Sequence, residues 1–270
     1  MGTGDSLDRR WISGMERRGG QRFSRRARWL CLGDPVAPRS YASRHSRFGG
    51  GLVASAVDAE FRGARRRLVE SLQEKGIKDL AVLRAIDLVP RHLFVPPTVR
   101  HRAYDDSALP IGSGQTISQP YVHARALEQL SLTGRERVLE IGTGSAYQTA
   151  LLAELAEQVF SIERNAALLD KARALLAGIP VRNVSVSLGD GTLGWREYAP
   201  YDAIVVSAGA PHIPPALELQ LAEGGRLLIP LGDREEQMLT LFVRRGDRME
   251  RRDIVPVRFV PLIGAGGWPA

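Results

Sequence analysis

Val138-Leu-Glu-Ile-Gly-Thr-Gly-Ser-Ala-Tyr147 decides how this chain is read. Val138 to Ile141 predict a buried β-strand, Gly142 and Gly144 a tight turn, and the residues after them a helix. Glycines carry no Cβ, so such a turn brings bare backbone N–H groups against a ligand. One acid, Glu140, stands two places before the first glycine. A second, Glu163, closes the next apolar run, Val159-Phe-Ser-Ile162. It comes about twenty residues on, where a βαβ unit presents a carboxylate to ribose hydroxyls. The spacing describes a nucleoside-binding crevice.

Two nucleoside cofactors compete for it. A dinucleotide fingerprint places a small residue three positions after Gly144, where helix packs on strand and pyrophosphate meets the helix end. Tyr147 holds that place. An acid inside the strand end suits a cationic ligand without phosphates. S-adenosyl-L-methionine carries a sulfonium and an ammonium, which a carboxylate attracts. Glu140 and Tyr147 therefore favour the methyl donor over NAD. A strand–helix turn that binds nothing is the plain alternative.

The hydrophobic fraction of 44% and charged fraction of 25% are those of a globular chain with a sizeable core, not of a disordered or fibrous one. The single cysteine, Cys31, excludes an internal disulfide framework, and no Cys/His cluster has zinc spacing, so no metal is expected. No apolar run has membrane-spanning length. The net charge of +7 is unevenly placed. Residues 1–50 hold eleven Arg and four acids, which accounts for all of it, and the rest of the chain balances to zero. The folded part thus gives no electrostatic case for nucleic acid. Residues 1–57 read as a disordered basic extension, rich in Arg, Gly and Ser. An RNA or membrane arm, a twin-arginine signal at Ser24-Arg-Arg-Ala-Arg28 and a transit peptide are weaker matches; initiation near Val53 is the preferred expectation.

Within 58–270, the pattern predicts a helix over 58–75 ended by Gly76, and a short helix capped by Asp79. Pro90, Pro96 and Pro97 predict an extended segment, and 104–120 an irregular cover over the crevice. A helix over 121–131 follows, so 58–131 forms a helical and lid part. Beyond Glu163 come a helix over 165–177, a strand at Val184–Val186, Gly189-Asp-Gly191, a strand at Tyr201–Val206, a helix at Pro214–Leu221 and a strand at Gly225–Ile229. Alternating strands and helices predict an α/β, doubly wound, mostly parallel sheet. Met238–Val243 and Ile254–Phe259, with no helix between them, predict an antiparallel pair at its end.

These residues carry a resemblance. From about 58 to 263 the chain resembles the protein-L-isoaspartate O-methyltransferase family. The matching segments are Val89-Pro-Arg-His-Leu-Phe-Val-Pro96, Leu139-Glu-Ile-Gly-Thr-Gly-Ser145, Gly189-Asp-Gly191, Pro200-Tyr-Asp-Ala-Ile-Val-Val206 and Phe259-Val-Pro-Leu262. The specific one is Ile111-Gly-Ser-Gly-Gln-Thr-Ile-Ser-Gln-Pro120, which methyltransferases at large do not share. The resemblance implies a Rossmann-like fold and methyl transfer from S-adenosyl-L-methionine to the α-carboxylate of L-isoaspartyl residues in damaged proteins. It puts the active-site serine on Ser118 and the donor-binding glycines on Gly142 and Gly144, with Thr143 between them. The ribose acid falls on Glu163, followed by Arg164, and the adenine-side pair on Asp190 and Gly191. Ile117, Gln119 and Glu140 complete the candidate donor site. A cytoplasmic monomer acting on damaged proteins or peptides is implied.

Other readings remain: a same-fold enzyme acting on another carboxylate or a small molecule, an NAD-dependent oxidoreductase, or a nucleic-acid methyltransferase, which lacks the Asn/Asp-Pro-Pro-Tyr motif of amino-methylating enzymes. Ser118 also has a plain reading, as cap of the following helix. The chain departs from the family at Ala146, usually glycine, and at His123 and Ala126, usually Val and Met. If position 146 needs a positive φ, its methyl costs on the order of 1 kcal/mol. The short Gly-rich tail after Leu262 leaves the contacts that relatives make there open.

Overall fold

The computed structural model describes residues 56–269, and the structural statements below concern those residues. The expectations for the basic extension and for initiation near Val53 fall outside them, apart from the first turn of α1.

Helix α1 (Ala56–Glu74) buries Leu68 and Leu72 and ends before Gly76, whose φ of +90° suits a residue without a Cβ. Helix α2 (Leu80–Leu88) starts as predicted: the Asp79 carboxylate accepts from the amides of Ala81 (2.8 Å) and Val82 (3.2 Å). The stretch expected to be extended instead folds into two 3-10 turns, Arg91–Phe94 and Pro97–Arg102, since proline's fixed φ suits the start of a helical turn as well as extended chain.

The expected irregular cover is partly ordered. It contains a hairpin of β1 (Leu109–Gly112) and β2 (Gln115–Ile117). Gly112, Ser113 and Gly114 take positive φ at its tip, while Leu109, Ile111 and Ile117 point inward. The glycines that argued against regular structure form the tip of a very short ribbon, and Pro110 sits within β1 opposite Thr116.

Helix α3 (Pro120–Leu130) leads into the main sheet. Its elements are β3 (Arg137–Ile141), α4 (Tyr147–Leu155), β4 (Gln158–Glu163), α5 (Ala166–Ala177), β5 (Val184–Leu188), β6 (Tyr201–Val206), α6 (Pro215–Leu219), β7 (Leu221–Gly232), β8 (Gln237–Arg245) and β9 (Arg248–Val257). The strand order is β5-β4-β3-β6-β7-β8-β9, parallel from β5 to β7, with β8 antiparallel to β7 and β9 antiparallel to β8. The doubly wound sheet with an antiparallel end is as expected.

Several boundaries differ: β7 extends past the expected Gly225–Ile229 at both ends, and β5 runs on to Leu188. Helix α6 stops at Leu219, because Leu221 already pairs with Tyr201 in β7. Strand β8 runs two residues further at its carboxyl end than Val243. Strand β9 begins at Arg248 rather than Ile254 and ends before Phe259. Its first half, Arg248-Met-Glu-Arg-Arg-Asp253, is mostly exposed on the sheet edge, where charged side chains mask the apolar alternation used to find strands.

Alternation along β3 divides the interior. Val138 joins one apolar cluster with Leu83, Leu127 and Leu151 from α2, α3 and α4. Leu139 and Ile141 join the other, with Ile204, Leu217 and Leu227. β3 is flanked by β4 on one side and β6 on the other, so chain direction diverges at its carboxyl end. In doubly wound sheets that point is where ligands bind.

Candidate functional site

A hollow of about 330 Å³ opens over the carboxyl ends of β3, β4 and β6. Of the candidates read from sequence, it gathers Ile117, Ser118, Gly142, Thr143, Gly144, Glu163, Arg164 and Gly191 on its wall. Gly142 (φ +96°) and Gly144 (φ +53°) form the turn. The Gly144 amide donates to Glu163 Oε2 at 2.9 Å, and the Asn165 amide to Oε1 at 2.8 Å. Backbone donors therefore hold both oxygens of this carboxylate in place at the wall. A Cβ on Gly191 would lie 2.3 Å from Ile141 Cγ2, so position 191 tolerates no side chain. Ala146 sits at φ +66° and fully buried, so the left-handed conformation is required there and the methyl carries its cost. Tyr147 packs edge-on against Phe94 and His123 and lies in the core, not over the turn.

Glu140 is placed differently from its expected role against the donor. Side chains alternate along a strand, so it faces away from Ile141 and does not line the hollow. It is fully buried, and its Oε2 accepts from the hydroxyls of Thr149 (2.5 Å) and Ser161 (2.7 Å). Burial pushes its pKa up to about 7, against those hydroxyls and the Gln148 amide, with Glu163 adding to the rise. Ser161 also meets Thr143 at 2.6 Å, so this buried group supports the glycine turn from behind.

Asp190 likewise turns from the hollow to the carboxyl-terminal segment. It accepts from Thr192 (amide 2.9 Å, hydroxyl 2.7 Å) and from the Ala265 amide at 2.7 Å. Burial would raise its pKa, but these donors hold it below the usual carboxylate range. The tail is bound through further contacts. The Gly266 amide donates to Thr192 Oγ1 (2.9 Å) and Trp268 Nε1 to the Gly209 carbonyl (3.1 Å), while Leu262 and Ile263 line the hollow.

Over the hollow lies the segment from β1 to α3. Ser118 does not cap α3: Gln119 holds the cap position and no side chain bonds there. The Ser118 carbonyl instead accepts from Arg91 Nη2 at 2.8 Å, and Arg91 Nε donates to the Ala103 carbonyl at 2.9 Å. Arg91 is completely buried with its guanidinium 4.8 Å over the Tyr147 ring. The segment is pinned again by Asp106, which accepts from Lys75 Nζ (2.5 Å), Gln119 Nε2 (3.1 Å) and the Tyr121 amide (2.8 Å). Burial opposes the charge on Asp106, but these partners keep its pKa below the usual range.

A second hollow, of about 890 Å³, adjoins the first and is bounded by Gln119, Val122, Glu236 and Phe259. Ser118, Thr116, Ser207 and Val260 line both. Ser118 thus stands at the junction of a nucleoside-sized hollow and a wider groove. Arg91, Gln148 and Ser207 are not among the residues singled out from the sequence, and His123 is noted there only as a departure from the family. The available signal for Ser207 is its place one residue beyond β6, at a strand's carboxyl end. Among the described residues, no cluster of His, Cys, Asp or Glu is placed to hold a metal, and no helix is long and apolar enough to cross a membrane.

Comparisons with known proteins show the family and the fold. Residues 63–266 match the family model described as protein-L-isoaspartate(D-aspartate) O-methyltransferase. Protein-L-isoaspartate O-methyltransferase of Dictyoglomus thermophilum is 51% identical over 77% of this chain and 95% of its own length. The enzyme named protein-L-isoaspartate O-methyltransferase 1 of Syntrophobacter fumaroxidans is 52% identical over 77% of this chain and 98% of its own. A solved protein-L-isoaspartate O-methyltransferase superimposes with a TM-score of 0.69 at 28% identity, covering 75% of this chain and 67% of its own. A Plasmodium falciparum protein described as a beta-aspartate methyltransferase, solved with S-adenosyl-L-homocysteine, has a TM-score of 0.65 at 25% identity, covering 74% and 98%.

Proposed function

We infer the function from one premise: the chain belongs to the protein-L-isoaspartate(D-aspartate) O-methyltransferase family. It is an S-adenosyl-L-methionine-dependent enzyme that methylates the α-carboxylate of L-isoaspartyl residues in damaged proteins, a repair reaction. The observation that carries this reading is the position of Ser118, on the shared wall of the two hollows. One hollow takes the donor and the other the damaged peptide, with 58–131 as the part that covers them.

When bound, S-adenosyl-L-methionine supplies an electrophilic methyl on a sulfonium. The turn at Gly142, Thr143 and Gly144 would pass beneath it, and Glu163 beside Arg164 would take the ribose hydroxyls. Gly191, where no Cβ fits, would flank the adenine, while Asp190 beside it holds the carboxyl-terminal segment through Thr192 and Ala265. Ile117, Ser118 and Gln119 would close the site from above. Glu140 acts from behind the turn. An isoaspartyl α-carboxyl has a pKa near ~3.5 and is ionised at neutral pH, so no general base is needed. The enzyme's work is alignment and removal of water from the attacking oxygen. Ser118 donates a hydrogen bond that orients the carboxylate and does not become a nucleophile. A cytoplasmic monomer as the acting form belongs to the same proposal.

The test is methylation of an L-isoaspartyl peptide with labelled donor by wild type and Ser118→Ala. Wild type should form a base-labile ester that releases methanol. The variant should lose roughly 10–100-fold in kcat/KM, the worth of a hydrogen bond to a charged group, with donor binding little changed. No ester from wild type overturns the function; an unimpaired variant overturns the role of Ser118.

A further inference from the structure

We propose that Ser207 is a second hydroxyl that touches the substrate carboxylate, oriented for that purpose by a buried pair, His123 and Gln148. The inference rests on the functional reading above and adds to it a residue that the reading does not use.

Ser207 follows β6 and, like Ser118, lines both hollows. Gln148 on α4 donates from Nε2 to Ser207 Oγ at 2.8 Å, and His123 Nδ1 lies 3.0 Å from Gln148 Oε1. The direction of these bonds follows from what burial permits. His123 is buried, with its pKa lowered to about 3 by desolvation and by Arg91, so the ring is neutral and carries one N–H. Its Nε2 has no partner. With the proton on Nδ1, the ring donates to Gln148 Oε1 and leaves Nε2 as a bare lone pair. With the proton on Nε2, a buried N–H would go unpaired, the costlier arrangement. The Gln148 carbonyl therefore accepts from His123 and its amide group donates outward. That orientation also sets the amide beside Glu140, whose ionised form it favours.

Ser207 Oγ has thus accepted a hydrogen bond, and its own hydrogen finds no acceptor among the described residues. A hydroxyl that has accepted from a fixed donor, on the wall of the reaction space, is set to donate into it. The isoaspartyl carboxylate has two oxygens, one to attack the methyl and one to be held. Ser118 reaches this space from the cover and Ser207 from the sheet, so two hydroxyls from opposite walls fix the plane of the carboxylate. Both must release water and gain a charged acceptor as the peptide enters, which makes their contribution specific to the substrate and not to the donor.

The experiment compares wild type, Ser207→Ala, Ser207→Thr and Gln148→Met at saturating donor, with an L-isoaspartyl peptide varied, and measures S-adenosyl-L-homocysteine affinity calorimetrically on each. Ser207→Ala should raise the peptide KM and lower kcat/KM roughly tenfold or more. Its affinity for S-adenosyl-L-homocysteine should stay within about twofold of wild type, which also shows that it folds. Ser207→Thr keeps a hydroxyl and should recover most of the loss. Gln148→Met leaves the serine in place but unaligned and should show a smaller rise in KM. Unchanged peptide kinetics in Ser207→Ala would overturn the proposal. So would a loss confined to S-adenosyl-L-homocysteine affinity, which would make Ser207 part of the donor wall only. An inactive wild type would overturn the functional reading and this inference together, whereas an active wild type matched by Ser207→Ala overturns this inference alone.

Discussion

Replacing Glu140 by glutamine removes one ionisation from the core and little else, since the amide oxygen can still accept from Thr149 and Ser161. In the folded protein burial pushes the carboxyl from its ordinary 4.5 to about 7. The folded state therefore holds this proton more tightly than the unfolded chain. That contribution to stability is fully present below pH 4.5 and is lost as pH rises through 7. A shift of this size corresponds to about 3 kcal/mol, most of it lost between about pH 4.5 and 7.5. The amide of the Glu140→Gln variant never ionises, so the variant escapes the loss. Urea denaturation of both proteins across that range should show the gap moving in the variant's favour by about 2–3 kcal/mol, because all other titrating groups are shared. Parallel stability curves would refute the reasoning and would mean that the carboxyl ionises in the core near its ordinary pKa.

Further consequences follow from the packing around the site. Gly191→Ala places a Cβ against Ile141 Cγ2, so thermal unfolding should show a loss of about 1–3 kcal/mol, with S-adenosyl-L-homocysteine affinity falling alongside. Arg91→Met leaves the carbonyls of Ala103 and Ser118 unpaired in the interior; the expected loss is about 2–4 kcal/mol by denaturation, and the peptide kcat/KM should fall more than nucleoside affinity. Asp79→Ala removes the α2 cap, which lines neither hollow, and should cost about 1 kcal/mol in denaturant while leaving kcat unchanged.

The parts of the molecule legible in the sequence are those set by short-range rules. Strand, turn and helix at 138–147 follow from an apolar run broken by two glycines, and Asp79 marks a helix start by its own chemistry. Position 146 is a case where a local rule, the need for a glycine, found a strained backbone before the structure displayed it. What escaped notice depends on neighbours distant in sequence. The direction of Glu140 follows from strand pleat and the burial of α4, not from its distance to Gly142. Arg91 is charged and yet wholly enclosed, because two carbonyls and an aromatic face receive it. His123 and Gln148, twenty-five residues apart, meet only once α3 and α4 pack together. The first half of edge strand β9 stayed hidden because its exposed residues are charged, and the hairpin at 109–117 because its strands are only four and three residues long and carry a proline and a glycine.

The most direct test is a crystal structure of the protein with S-adenosyl-L-homocysteine. The account predicts the nucleoside in the smaller hollow, ribose hydroxyls against Glu163, adenine beside Gly191, and the sulfur turned toward Ser118 and the wider groove. A nucleoside bound at another place, with the turn at Gly142–Gly144 untouched, would contradict it.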